Sequence, residues 1–260
     1  QRSRLRRPYC CCWRHAQALR TAAAAAAAAA PSSSAHLASW RENGEGCCCG
    51  AELAQAGHDS VFLSQTDSIA WLLNIRGTDI PRVPVALCFA VLHKTGAVQL
   101  FIEPSATAQL TLDAGITIAA PAKMIGALSA LSGVVRVDPT SCPSAIESLL
   151  QDAGCSLSYG PDPCVLPKAC KNSVEIAGTI TAHLRDAGAM CEFLAWLDAQ
   201  PADTLSEIDV VRALEGFRQA TGALKDISFD TICGAGPNGA IIHYRVTEDS
   251  NRAVKPGDLL

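Results

Sequence analysis

One histidine in this chain stands where it could do chemistry. His243 follows the run Gly234-Ala235-Gly236-Pro237-Asn238-Gly239-Ala240-Ile241-Ile242 and precedes Tyr244. An imidazole carried beyond a glycine turn can hydrogen-bond a substrate and move a proton near neutral pH. The same local pattern also suits a histidine satisfied in a core or lying on a surface, and the neighbouring residues leave these readings open. The glycines match G-x-G-x-x-G, the dinucleotide pattern, which needs a helix opening at the turn with its N-terminus toward the pyrophosphate. Pro237 and Asn238 interrupt that turn, and Ala240 to Tyr244 reads as a strand. The expected role is therefore a tight turn that places the next strand and lets backbone approach closely within a cleft. His15, His36, His58, His93 and His183 show no metal or triad spacing, and H-E-x-x-H, G-x-S-x-G and P-loop motifs are absent from the sequence. Of thirteen cysteines, six fall in the triplets at 10–12 and 47–49, and the other seven are scattered singly without a C-x-x-C pair. That usage predicts free thiols of a reducing compartment rather than a disulfide scaffold or a zinc site.

The elements that must position these residues are drawn from 260 residues, 49% hydrophobic and 18% charged, enough for one large domain or two modest ones with real cores. This apolar content excludes wholesale disorder. A net charge of −4 excludes a generally basic nucleic-acid binder, and no apolar run approaches the roughly 20 residues that cross a bilayer; neither nucleic acid nor membrane is expected as a partner. The charge is uneven. Residues 1–40 hold six Arg and no acid, together with nine alanines from Ala22 to Ala30 and Ser32, Ser33 and Ser34. Residues 1–50 read as a low-complexity or transit-like head outside the fold, expected to be disordered, or as repeat sequence from a misread frame.

From Ala51 short strands and helices alternate. Ser60–Ser64, Val85–His93, Ala97–Ile102, Ile116–Ala119 and Val134–Val137 read as strands, with Lys94-Thr95-Gly96 as a hairpin turn. Ser105–Asp113, Ala122–Leu131 and Pro143–Gln151 read as helices, so 51–160 is expected to be an α/β layered domain. Gly160-Pro161-Asp162-Pro163 reads as a linker opening a second domain, 161–260. There Asn172 with Glu175 marks a helix start, followed by a stripe of Ile176, Ile180, Leu184, Ala187, Met190, Leu194 and Leu197. Thr204 with Glu207 marks another start, with Ile208, Val211, Leu214 and Phe217 as the stripe and Gly222 as its stop. Phe229–Cys233, Ala240–Tyr244 and Leu259-Leu260 read as strands.

Two stretches resemble a known family. Ser64–Asp79 (SQTDSIAWLLNIRGTD), with Pro81, Pro84 and VALCFAVL after it, resembles the second domain of the cytosolic-type aminopeptidase P (Xaa-Pro aminopeptidase) family. Leu166–Lys171 (LPKACK), the helix carrying Ala182-His183-Leu184-Arg185-Asp186, and Phe229–Tyr244 (FDTICGAGPNGAIIHY) resemble the start of its pita-bread catalytic domain. The resemblance implies a creatinase/prolidase N-terminal-like α/β domain followed by an incomplete pita-bread domain. The implied activity is a metallopeptidase that removes the N-terminal residue from peptides with proline in second position. It also implies two divalent metal ions, expected to be manganese, held by two Asp, one His and two Glu that would fall past Leu260, so that this fragment is expected to bind no metal pair and to be inactive by itself. His243 matches the family histidine that faces the scissile peptide, implying a catalytic and substrate-binding role. Arg76 and Asp79 are expected as a structural ion pair or interface contact, or else a cleft contact. A homodimer of the full-length form and a cytoplasmic location are implied, the alternative being an organelle if the head is a transit peptide. The rival reading is a non-catalytic pita-bread-like module that binds peptide or protein.

Overall fold

The structure is a computed structural model and describes residues 45–107, 112 and 114–260. The expected head up to residue 44 and most of the helix expected over 105–113 lie outside these residues; within that range Pro104–Thr107 forms a 3-10 turn. The chain divides between Val174 and Glu175 into two compact units.

The first unit is built on six strands: β1 (Ser60–Leu63), β2 (Phe89–His93), β3 (Val98–Phe101), β4 (Ile116–Ala119), β5 (Val134–Val137) and β6 (Ser156–Tyr159), in the order β4-β3-β2-β1-β5-β6. The turn after β2 makes β2 and β3 antiparallel, with Phe89 opposite Phe101 and Leu92 opposite Val98. β1 joins β2 antiparallel and β5 parallel, and β4 and β6 add parallel edges. Because side chains alternate across a strand, Val61 and Leu63 face one way and Phe62 the other. Val61, Leu63, Ala90, Leu92 and Leu100 pack with Cys49 and Leu53 of α1 (Glu45–Gln55) and with Ile69 and Leu72 of α2 (Thr66–Leu72). Phe62, Val91, Phe101, Val135 and Val137 pack with Leu128 of α3 (Met124–Ser129) and Ile146 and Leu150 of α4 (Ser144–Asp152). The sheet thus lies between two helical layers, the α/β architecture that the alternation predicts. The fold begins before Ala51: Cys49 and Leu53, four residues apart on one helix face, are 1% and 0% exposed, so the last residues assigned to the head belong to α1.

The strand expected over Val85–His93 forms only from Phe89. Val85, Ala86 and Cys88 are buried, but Ala86 lies against Gly77, where an added Cβ would sit 2.7 Å from the Ala86 Cα and N. Residues 85–88 are coil and take no place in the sheet ladder. Arg76 and Asp79 do not pair with each other as expected; each holds backbone instead. The Arg76 guanidinium donates to the Ala70 and Ile75 carbonyls (3.1 and 2.8 Å) at the end of α2, and Asp79 Oδ2 accepts the Leu87 N–H (2.8 Å). Gly77→Ala is expected to cost about 1–3 kcal/mol through overpacking, read as a lower urea midpoint; an unchanged midpoint would show that the Ala86 segment moves aside freely.

The segment 161–174, expected with the second half, packs on the first. Asp162 N–H donates to Asp138 Oδ2 (2.8 Å), Cys164 is fully buried in the core beside α1, and Lys168 of α5 (Val165–Ala169) pairs with Asp67. The two prolines bend the chain there, while a buried carboxylate and a core thiol keep it attached.

In the second unit α6 (Ser173–Asp198) and α7 (Glu207–Gln219) pack through Phe193, Val210 and Cys233. Phe193, Trp196 and Phe217 form an aromatic triangle with centroids 6.1–6.4 Å apart, and Arg218 of α7 grips Asp186 of α6 through two nitrogens (2.7 and 3.1 Å). Gly222, at φ +67°, follows the end of α7 as expected. Only part of the predicted stripe of α6 is covered: Met190 and Leu197 pack against the core, Ile176, Ile180, Leu184 and Leu194 are 40–56% exposed, and Gly188, Ala189 and Phe193 are buried. Phe229–Cys233, Ala240–Tyr244 and Leu259-Leu260 are not strands. A strand needs a neighbour to take its N–H and C=O groups, and among the described residues of this unit only the isolated bridge Ser206–Ala253 forms.

Candidate functional site

His243 sits on a loop that one buried carboxylate holds together. Glu207, the first residue of α7, is 0% exposed. Its oxygens accept from Ala235 N–H (2.6 Å), the Asn238 amide (3.0 and 3.2 Å), the Tyr244 hydroxyl (2.7 Å) and Arg252 N–H (3.2 Å). Its own N–H donates to the Arg252 carbonyl (3.0 Å). Burial pushes the Glu207 carboxyl up, but the hydrogen bonds from Ala235, Tyr244, Asn238 and Arg252 outweigh it and hold the group below the usual glutamate range. Burial, joined by the Glu207 charge, pushes the Tyr244 phenol up, so it remains a donor.

The sequence signal for this helix start was displaced. Ser206, not Thr204, is the N-cap, and it makes a reciprocal capping box with Asp209. That leaves Glu207 free of capping and turned into the loop. Sequence reasoning missed Glu207, Asn238, Tyr244 and Arg252 as a network, because the loop and the helix end are joined only across 28 to 45 positions of chain.

The glycines serve this closure. A Cβ on Gly234 would lie 3.0 Å from Asn238 and Gly239 backbone, and one on Gly236, at φ +54°, would strike Arg252 Nη1 at 2.4 Å. The close backbone approach expected of the turn is therefore to its own loop, and residues Gly236–Ala240 form a 3-10 turn rather than the opening of a nucleotide-binding helix. Arg252 donates to the Ala235 carbonyl (2.8 Å) and to both Asp258 oxygens (2.8 and 3.3 Å), which closes the loop at its far side. The Arg252 hydrogen bond holds the Asp258 carboxyl below its usual range.

His243 itself is exposed, in a turn rather than the expected strand, between the 85% exposed Ile242 and the buried Tyr244. Its backbone φ is +56°, a left-handed conformation that costs a non-glycine residue about 1–2 kcal/mol. The Tyr244 N–H to Ile241 carbonyl bond (3.2 Å) and the Tyr244 anchor on Glu207 impose it.

Three carboxylates around this loop are committed elsewhere. Glu207 takes four donor groups, Asp258 is bound by Arg252 and the Lys255 N–H, and Asp230 pairs with Arg245 (2.6 Å). Among the described residues no group of three or more His, Cys, Asp or Glu side chains is arranged to hold a metal ion. The residues present do not fit a dinuclear metal centre, and what the site offers chemically is an imidazole presented on a rigid, strained turn.

Residues 48–175 match the Creatinase/Prolidase N-terminal domain, and residues 178–260 match Metallopeptidase family M24. A probable Xaa-Pro aminopeptidase P of Aspergillus niger is 34% identical over 222 residues, covering 79% of this chain and 36% of that protein. Aminopeptidase P2 of Arabidopsis thaliana is 32% identical over 244 residues, covering 80% of this chain and 34% of its own length. The chain thus spans about a third of the length of these curated relatives. Among solved structures, the X-prolyl aminopeptidase of Caenorhabditis elegans, described as a cytosolic enzyme with a di-nuclear active site, superposes with a TM-score of 0.67 at 25% identity. That superposition covers 80% of this chain and 36% of the worm protein.

Proposed function

We propose, from the match of residues 178–260 to metallopeptidase family M24 and of residues 48–175 to the creatinase/prolidase N-terminal domain, that this chain supplies the substrate-facing loop of an Xaa-Pro aminopeptidase. That hydrolase removes the N-terminal residue from peptides whose second residue is proline. An X-Pro bond is a tertiary amide with no N–H, so recognition falls on its carbonyl. The observation that carries the reading is the strained His243 turn held on buried Glu207. An exposed imidazole fixed in this way can donate a hydrogen bond to the scissile carbonyl as charge develops on the oxygen, or pass a proton at that atom.

The worm enzyme is described as having a di-nuclear active site, and we take the full-length enzyme to use two divalent metal ions, manganese. The described residues do not assemble their ligands, so the described part of this chain requires ligands from a further segment to turn over. A cytoplasmic location accords with the cytosolic worm enzyme, and no helix among the described residues is long and apolar enough to cross a membrane. We place a homodimer interface in the completed catalytic domain.

Release of the residue before proline should be measured with Mn²⁺, using this chain alone and this chain fused to the remaining catalytic segment of the Aspergillus niger relative. The expected result is no turnover alone and proline-dependent turnover by the folded fusion. Turnover by the chain alone, or a fusion indifferent to proline, would overturn the reading. The rival, a peptide-binding module, draws on the exposed Phe229, Ile232, Ile242 and Leu259; it predicts tight peptide binding by the chain alone that ignores proline.

A further inference from the structure

We propose that Cys49 and Cys164 form a reactive dithiol that a peroxide closes to a disulfide, tying α1 to the turn at Asp162–Val165. Two of the thirteen cysteines are brought together by the fold from positions 115 residues apart. Cys49 lies on the inward face of α1 and Cys164 just before α5, and they are 1% and 0% exposed within one core cluster. The Cys49 thiol donates to the carbonyl oxygen of Pro163, the residue next to Cys164 (3.6 Å), and each thiol shifts the titration of the other.

A buried carboxylate stands beside them. Asp162 is 4% exposed; its Oδ1 accepts the Cys164 N–H (2.7 Å), whereas its Oδ2 is buried with no hydrogen-bond partner. An unpaired buried carboxylate oxygen is costly, and here it is available to receive the proton that Cys164 must lose. The hydrogen bond from Cys164 draws the Cys49 thiol below its ordinary value, against burial and the charges of Glu52 and Asp162. The same hydrogen bond, with burial and Asp162, pushes the Cys164 thiol up. With the Asp162 carboxylate beside Cys164 to take its proton, Cys49 is assigned the attack and Cys164 the resolution. The other buried thiols among the described residues lack such a partner: burial pushes Cys155 up, and Cys88 and Cys233 up to about 11, with no second cysteine acting on any of them.

The chemistry balances. The Cys49 sulfur attacks one oxygen of hydrogen peroxide; an S–O bond forms, the O–O bond breaks, and the leaving hydroxide takes the Cys49 proton as water. Cys164 then gives its proton to Asp162 and attacks the sulfenic sulfur; the S–S bond forms and the S–O bond breaks. The departing hydroxide takes that proton as a second water. Two thiols lose two electrons and two hydrogens, and one peroxide becomes two waters.

The full chain, with exposed Cys170 changed to serine, should be reduced, desalted and treated with one equivalent of hydrogen peroxide. The expected result is an intact mass lower by two hydrogens, restored by dithiothreitol. Tandem mass spectrometry should link tryptic peptides 42–76 and 137–168 through Cys49 and Cys164. Closing so long a loop should also raise the thermal midpoint by about 5–10 °C. Cys49→Ala and Cys164→Ala should each abolish the mass change, while Cys48→Ala and Cys155→Ala should not. Circular dichroism checks that the variants fold, and the wild-type peptide assignment stands apart from them. A link through other cysteines, sulfinic acid without a link, or no reaction at a peroxide level that oxidises the wild-type Cys170 would each overturn the proposal.

Discussion

Glu207→Ala is expected to destabilise the second unit by about 3–5 kcal/mol, among the largest effects open to a single substitution in it. The change strips the acceptor from two backbone N–H groups, the Asn238 amide and the Tyr244 hydroxyl at once, and each buried donor left unpaired costs about 1–3 kcal/mol, less where water enters. Glu207→Gln keeps the shape but turns an NH2 toward donors, so roughly half the loss is expected. The measurement is urea unfolding together with amide exchange over residues 207–252. Unchanged protection of that loop in Glu207→Ala would show that it is held by other contacts. The pH dependence carries a sign. The folded carboxyl is held below its unfolded value of about 4.3, so its contribution is fully present above that pH and is lost as pH falls through the lower folded value. Glu207→Ala should accordingly flatten the acid limb of the stability curve.

His243→Ala, placed in the fusion that completes the catalytic domain, is expected to lower kcat by about 10²-fold, the order lost when one hydrogen bond to a developing oxyanion is removed. KM should move little by comparison. Because His243 is exposed and its backbone is strained at φ +56°, stability should stay within about 0.5 kcal/mol for alanine, and His243→Gly should be no less stable than the parent. Unchanged kcat in a folded variant would show that the imidazole does not reach the reacting carbonyl. Loss of the fold would show that it serves structure instead. The two variants separate the roles: Glu207→Ala is expected to act on the loop's integrity and His243→Ala on the rate.

Much of the first unit was legible from local pattern. β1, β3, β4 and β5 follow apolar runs bounded by turn residues, and the Lys94-Thr95-Gly96 hairpin follows from a glycine at φ +84°. Such signals are short-range, so a window of sequence contains them. The motif around His243 was likewise visible, as was the free state of the thiols in the described residues. Where local pattern misled, the differences accompany contacts outside the local window. Val85–Cys88 is apolar enough for a strand, but it is coil with Ala86 packed on Gly77. Ala240–Tyr244 has strand composition, but its hydrogen-bonding groups go to a turn because Tyr244 is drawn to Glu207. The α6 stripe follows a helical period, but Phe193 and Ala189 decide which face is buried.

The sequence by itself determined most element types of the first unit, the α/β class and which histidine stands in the family-like motif, since these depend on side chains within a few positions of one another. The tertiary structure alone decided that Glu207 rather than a capping pair anchors the His243 turn, and that Cys49 meets Cys164 beside Asp162. Both depend on which distant groups share a dry interior, where an unpaired donor or a second thiol counts for far more than it does in water.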